Sequence, residues 1–106
     1  MKSNVGRIRR RRGWKVNAIY FNPREDRGVS WTCTPAKRFW IFVPPGKLPA
    51  ATRVTFVKSS KGKAFLKLRG TGLRKHDRIY YSMLLDDGRK IQMVRGGSPP
   101  VIIIWP

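Results

Sequence analysis

From Trp14 onward apolar and polar residues alternate in short runs, and no stretch keeps apolar residues at helical spacing. The pattern predicts eight strands: Trp14 to Phe21, Val29 to Thr34, Arg38 to Val43, Thr52 to Lys58, Lys63 to Leu68, Arg78 to Leu85, Lys90 to Arg95 and Val101 to Trp105. Turn formers separate them: Asn22-Pro23, Pro44-Pro45-Gly46, Ser59-Ser60-Lys61-Gly62, Gly70-Thr71-Gly72, Asp87-Gly88 and Gly96-Gly97-Ser98-Pro99-Pro100. Asp87-Gly88 predicts a tight hairpin, because Gly and, less readily, Asp accept the positive φ that such turns require. Ser59 to Gly62 predicts another.

Side chains alternate across a strand, so each run divides into two faces. Phe39, Ile41 and Val43 oppose Arg38, Trp40 and Phe42. Ala64, Leu66 and Leu68 oppose Lys63, Phe65 and Lys67, while Ile79, Tyr81, Met83 and Leu85 oppose Arg78, Tyr80, Ser82 and Leu84. One set in each case reads as core; the other mixes cations with rings. The terminal Val101 to Trp105 run does not alternate, which predicts a strand buried on both faces or covered by the N-terminal arm or a loop. Eight short strands without a helix predict an all-β fold, a small antiparallel two-sheet sandwich, with a small OB-type or SH3-like barrel as the alternative. The closing stretch from Arg78 to Pro106 resembles the last hairpin and strand of immunoglobulin-like or cupredoxin-like sandwiches. That likeness is architectural and implies no function.

Residues 1–13 depart from this pattern. Lys2, Arg7, Arg9, Arg10, Arg11 and Arg12 crowd a stretch whose sizeable apolar groups are Met1, Val5 and Ile8. Little surface is available there to offset the entropy of ordering, so the stretch reads as a disordered, Arg-rich arm ahead of a single sandwich domain at 14–106. Were all six arm cations on phosphates, removing the arm would flatten the salt slope of log K by roughly 4 on single strands and 5 on duplex.

Charge then turns a fold reading into a functional one. The 106 residues carry 24 Lys and Arg against 5 Asp and Glu, a net charge of +19, while 41% apolar residues and 12 aromatics exclude a merely disordered basic tail. Such an excess opposes compaction and favours polyanions: nucleic acid, an anionic membrane or an acidic protein surface. Fifty residues between Asp26 and Asp77 hold no carboxylate yet carry Arg27, Lys37, Arg38, Lys47, Arg53, Lys58, Lys61, Lys63, Lys67, Arg69, Arg74 and Lys75. A surface built only for solubility mixes both signs. Rings interleave with these cations as Lys63-x-Phe65-x-Lys67, Arg38-x-Trp40 and Arg78-x-Tyr80, the combination that single-strand binders use to stack bases and follow the backbone. The same rings equally serve as second-face packing, with the cations reaching outward.

Other chemistries find little purchase. The carboxylates Glu25-Asp26, Asp77 and Asp86-Asp87 fall in turns or at strand starts and form no facing acid and base pair. Cys33 shares a strand face with Val29 and Trp31, which reads as a structural thiol rather than a partner for His76. One Cys and one His supply neither a blue-copper nor a structural zinc ligand set, so neither metal nor cofactor is expected. Gly46-Lys47 and Gly70-Thr71-Gly72 lack the glycine spacing and following helix of a phosphate loop. A single cysteine, no signal-like leader and no apolar run near 20 residues point to a cytoplasmic protein without an integral membrane segment. The expected function is therefore non-enzymatic DNA or RNA binding through Arg7, Arg9, Arg10, Arg11 and Arg12 of the arm and through Arg38, Trp40, Lys58, Lys61, Lys63, Phe65, Lys67, Arg69, Arg74, Lys75, Arg78 and Tyr80 of the body. The alternative is a small regulatory or assembly protein, such as a viral or phage accessory factor, docking on an acidic protein surface with its rings as anchors. Membrane-surface binding is disfavoured, since the arm lacks a bulky apolar face.

Overall fold

A computed structural model describes residues 2–44, 56–68, 72–94 and 99–105. The expected positions Lys47, Arg53 and Arg69, the first part of the strand read from Thr52, and Arg95 with its glycine-rich turn lie outside these residues.

The chain is all-β, with eleven strands and no helix among the described residues: β1 (Val5–Arg10), β2 (Trp14–Val16), β3 (Ile19–Phe21), β4 (Gly28–Thr34), β5 (Arg38–Phe42), β6 (Phe56–Lys58), β7 (Lys63–Lys67), β8 (Arg78–Tyr80), β9 (Ser82–Asp86), β10 (Ile91–Met93) and β11 (Val101–Ile104). They form a first sheet in the order β2-β1-β4-β7, a second in the order β10-β9-β5-β6 and a third in the order β3-β11-β8. Most pairs are antiparallel; β1 with β4 and β11 with β3 run parallel. All three sheets bury their inner side chains in one cluster that includes Ile8, Trp31, Phe39, Ile41, Leu66, Met83, Leu85 and Ile102. The result is a small sandwich-like or barrel-like wrap.

Two expected strands each break where the chain passes from one sheet to the next. Between β2 and β3, Asn17 replaces the strand ladder with its own amide. Its Oδ1 accepts from the Arg7 N–H at 2.6 Å, and its Nδ2 donates to the Val5 carbonyl at 3.1 Å and the Ala18 carbonyl at 2.9 Å. The backbone thereby leaves β1 with the Arg7 N–H and the Val5 carbonyl still paired. Between β8 and β9 the switch point is Tyr81, whose N–H donates to the Pro100 carbonyl at 3.1 Å while its side chain stays inside.

The largest departure is at the N-terminus. Residues 5–10 are not a disordered arm: β1 lies between β2 and β4, and Ile8 is fully buried. Gly6 and Ile8 face in while Arg7 and Arg9 face out, so the alternation is that of a half-buried strand in spite of its charge. A close contact explains the glycine, since a Cβ on Gly6 would lie 2.7 Å from Cδ1 of Trp31. The β1–β2 hairpin closes through Arg11-Arg12-Gly13, with Arg12 and Gly13 at φ 51° and 106°. Isolated, the stretch lacks apolar surface; in place, it borrows the core of β4 and β2.

The hairpins follow turn chemistry. Lys61 and Gly62 both have positive φ (53° and 75°), the signature of a two-residue type I′ turn, and Ser60 and Lys63 exchange backbone hydrogen bonds across it. The Asp87-Gly88 hairpin forms with a longer loop than the tight turn expected: Asp86 pairs with Ile91, and the Asp87 carboxylate accepts from the N–H groups of Arg89 and Lys90. The C-terminal run is the central strand of the third sheet. Ile102 and Ile104 are fully buried, and Lys2 lies over the Trp105 ring at 3.1 Å from its centroid.

Candidate functional site

The outer face of the first sheet collects residues from four strands in register. Across one row, Arg7 on β1 sits beside Thr32 on β4, which sits beside Lys63 on β7. A second row runs Lys15, Arg9, Thr34, and a third Val5, Ser30, Phe65. Lys67 closes the face opposite Gly28. With strands about 4.8 Å apart, the Arg7 and Lys63 backbones are separated by about 10 Å, and Lys63, Phe65 and Lys67 follow one another at about 7 Å. Arg7, Arg9, Lys15, Lys63 and Lys67 are all exposed, with hydroxyls of Ser30, Thr32 and Thr34 between them and no carboxylate at any outward position of the four strands. A face of one sign, floored by hydroxyl donors, attracts anions and leaves no internal counter-ion to displace.

Phe65 is 57% exposed on the edge strand of this face, between Lys63 and Lys67. Its ring leans across Gly28: a Cβ there would lie 2.8 Å from Phe65 Cζ and collide with the Leu66 carbonyl oxygen. The bare glycine thus gives the ring a seat on the sheet while over half of its side chain remains open to solvent. Arg10, Arg11 and Arg12 extend the positive field from the β1–β2 turn beyond Arg9, and all three are exposed.

The remaining expected residues divide among other surfaces. Arg38, Trp40 and Lys58 lie on the outer face of the second sheet, where the Arg38 guanidinium is already paired with Asp86 at 2.6 Å. Lys61 occupies the β6–β7 turn. Arg78 and Tyr80 belong to the third sheet, with Arg74 and Lys75 in the segment before it. There Arg78, Ile103 and Tyr20 share a row, and Lys2 and Lys75 flank Trp105 at 3.1 and 5.3 Å from its ring centroid. A 440 Å³ cleft beside it is lined by Asn22, Pro23, Arg24, Leu73, Lys75 and Ile104. Its loop is self-satisfied, since Asn22 Oδ1 accepts from the Arg24 N–H and Asp26 accepts from the Asn22 N–H.

Sequence reasoning missed Lys15, Ser30, Thr32 and Thr34 as members of the face. The alternation of Trp14-Lys15-Val16 was visible, but which strands lie side by side was not. Treating Arg7 and Arg9 as an appendage also hid that they stand in register with Thr32 and Thr34, one strand away from Lys63.

The four aspartates are committed to structure. Backbone N–H groups hold Asp86 and Asp87 below the usual carboxylate range, through Gly88 for the first and through Arg89 and Lys90 for the second; Arg38 adds to the effect on Asp86. Asp77 accepts from the Arg74 N–H at 2.8 Å. Burial pushes the Cys33 thiol up, against the opposing pull of Lys37, and its Sγ sits 3.3 Å from the Pro35 carbonyl oxygen. His76 packs on Trp105 and belongs to a different part of the fold. Among the described residues no three His, Cys, Asp or Glu side chains converge, and no helix is long and apolar enough to cross a membrane. No protein-family model matches the chain, and no curated protein matches it.

Proposed function

We propose that the protein binds single-stranded nucleic acid, RNA or DNA, without catalysing a reaction, across the outer face of the first sheet. One observation carries the reading: five cations from β1, β2 and β7 share a carboxylate-free sheet face with an exposed ring that two of them, Lys63 and Lys67, flank on the edge strand. Phosphates meet Arg7, Arg9, Lys15, Lys63 and Lys67, a base stacks on Phe65, and the hydroxyls of Ser30, Thr32 and Thr34 reach sugar or base edges. Arg10, Arg11 and Arg12 add sequence-independent affinity at one end.

Shape selects single strands over duplex. Four strands side by side span about 14 Å, wider than the roughly 12 Å major groove of B-DNA, which admits a two-stranded ribbon. The A-form major groove is narrower still. An open sheet face reads bases that are splayed out, and an exposed ring on its edge strand has no role against a stacked duplex. The reading places the protein in the cytoplasm, and a single buried, unpaired thiol fits a reducing compartment.

The test is the salt dependence of binding to matched single-stranded and duplex oligonucleotides. Each phosphate contact on a single strand contributes about 0.7 to the slope of log K against log salt. Replacing Arg7, Lys63 and Lys67 together by Gln should flatten that slope by about 2, whereas replacing Arg38 and Lys58 should leave it unchanged. An unchanged slope in the first variant, or no binding by the native chain, sinks the proposal; duplex preference sinks the single-strand part. A defined complex with an acidic protein in nuclease-treated lysate, lost in the first variant, would assign the same face to protein docking instead.

A further inference from the structure

The outer face of the second sheet has the opposite character. Its rows run Ile91, Asp86, Arg38; then Met93, Leu84, Trp40, Lys58; then Ser82, Phe42, Phe56. Ile91, Met93, Phe56 and Phe42 are 61, 52, 46 and 44% exposed, so four of the six large apolar side chains left open among the described residues share this one face. Phe42 and Phe56 meet edge to face at 5.0 Å, and Trp40 and Leu84 lie half-buried beside them. A contiguous apolar patch of this kind on a small monomer marks an interaction surface.

Charge identifies what covers it. Arg38 and Asp86 neutralise each other at 2.6 Å, leaving Lys58, on the edge strand β6, as the one uncompensated charge among the outward residues of these strands. An acidic partner would find its cations on the first sheet, not here. On a chain of +19, most face-to-face pairings of two copies are strongly repulsive. Between the two outer sheet faces, this nearly neutral one brings two copies together with far less repulsion, and the Arg38–Asp86 pair is self-complementary under a two-fold axis.

We infer that the protein self-associates through this face, packing the second sheets of two copies against each other. Sheets stacked this way lie about 10 Å apart with their side chains interdigitated. Four strands of up to five residues cover roughly 300 Å² in projection, well short of the about 800 Å² per partner of a standard stable interface. The dimer is therefore weak and concentration-dependent, and it strengthens as salt screens the net charge. Because the first sheet takes no part, the basic faces of both copies stay open, and a polyanion long enough to reach both would gain avidity.

Sedimentation equilibrium of the nuclease-treated full chain, free of oligonucleotide, tests this independently of the nucleic-acid reading. From micromolar to near-millimolar protein, the mass should climb from 12.3 kDa towards the dimer, more steeply at high salt than at low. The double variant Ile91→Gln, Met93→Gln, which adds no charge, should stay monomeric with the native melting temperature and with native affinity for an oligonucleotide too short to reach two copies. A native chain that is monomeric at every concentration and salt overturns the inference. So does a dimer that survives the double variant, or one that weakens with added salt. A monomeric native chain that uses Ile91 and Met93 to hold a different protein would reassign the face to that partner. Loss of oligonucleotide binding with the dimer intact would count against the proposed function alone.

Discussion

The Trp31 indole N–H donates to the Tyr81 hydroxyl oxygen at 2.9 Å across fifty residues of sequence, and the two rings cross edge to face at 5.5 Å, both buried. Trp31 belongs to β4 of the first sheet; Tyr81 is the residue at which the chain leaves the third sheet for the second. One hydrogen bond thus ties together the three sheets. Tyr81→Phe keeps the ring and strands the indole N–H in the interior, at a cost of about 1–3 kcal/mol. Urea unfolding should show that loss as a lower midpoint at unchanged slope; an unchanged midpoint would mean that the bond carries no net stability.

Burial also raises the Tyr81 phenol above its ordinary value, only partly offset by the Trp31 bond. The folded state therefore favours the neutral phenol, and the stability this represents is complete below the unfolded value of about 10 and is lost as pH rises beyond it. Alkaline unfolding monitored by circular dichroism should begin above about pH 10, and Tyr81→Phe should blunt the pH dependence there even while lowering stability at neutral pH.

At the acid end the sign reverses. Asp86 and Asp87 are held low by backbone N–H groups, so their contribution is present above the unfolded value of about 3.9 and is lost as pH falls through their lower folded values. Protonation also adds to an already large positive charge. Melting temperature should fall as pH drops below about 4, and the double variant Asp86→Asn, Asp87→Asn should show a shallower fall.

Because β1 is an internal strand, its removal is a folding experiment rather than a binding one. A chain beginning at Gly13 loses the partner of both β2 and β4 and should show no cooperative unfolding transition. The milder Ile8→Ala should cost about 2–5 kcal/mol, since Ile8 is fully buried. A truncated chain that melts cooperatively would restore the reading of residues 1–13 as an appendage.

Phe65→Ala and Phe42→Ala remove rings of comparable exposure from different sheets. Loss of Phe65 should weaken oligonucleotide binding by about 1–3 kcal/mol, roughly 5- to 150-fold, and loss of Phe42 should leave it unchanged. Fluorescence anisotropy distinguishes the two. Equal effects would mean that neither ring stacks on a base.

Alternation over two residues was sufficient to sort inside from outside within each strand. Phe39, Ile41 and Val43 are buried, as are Ile79, Tyr81, Met83 and Leu85, because a pleated strand leaves successive side chains no other choice. The turn residues were equally legible: Lys61-Gly62 makes its hairpin through local φ preferences that need no distant partner. The sequence by itself therefore determined the all-β class, the inward set of most strands and an excess of positive charge. Which strands are neighbours is a matter of contacts far apart in the chain, and only the tertiary structure decided it. The parallel pairing of β1 with β4 turned a supposed arm into the middle of a sheet, because the surface that orders Ile8 is supplied by Trp31 and its neighbours rather than by residues 1–13. The same pairing set Arg7 and Arg9 beside Thr32 and Thr34, with Lys63 and Phe65 on the next strand. Arg38 and Trp40, which look identical to Lys63 and Phe65 in a one-dimensional pattern, were sent to a face where Asp86 cancels the charge. Charge can be counted along a chain, but a field depends on which charges the fold brings together.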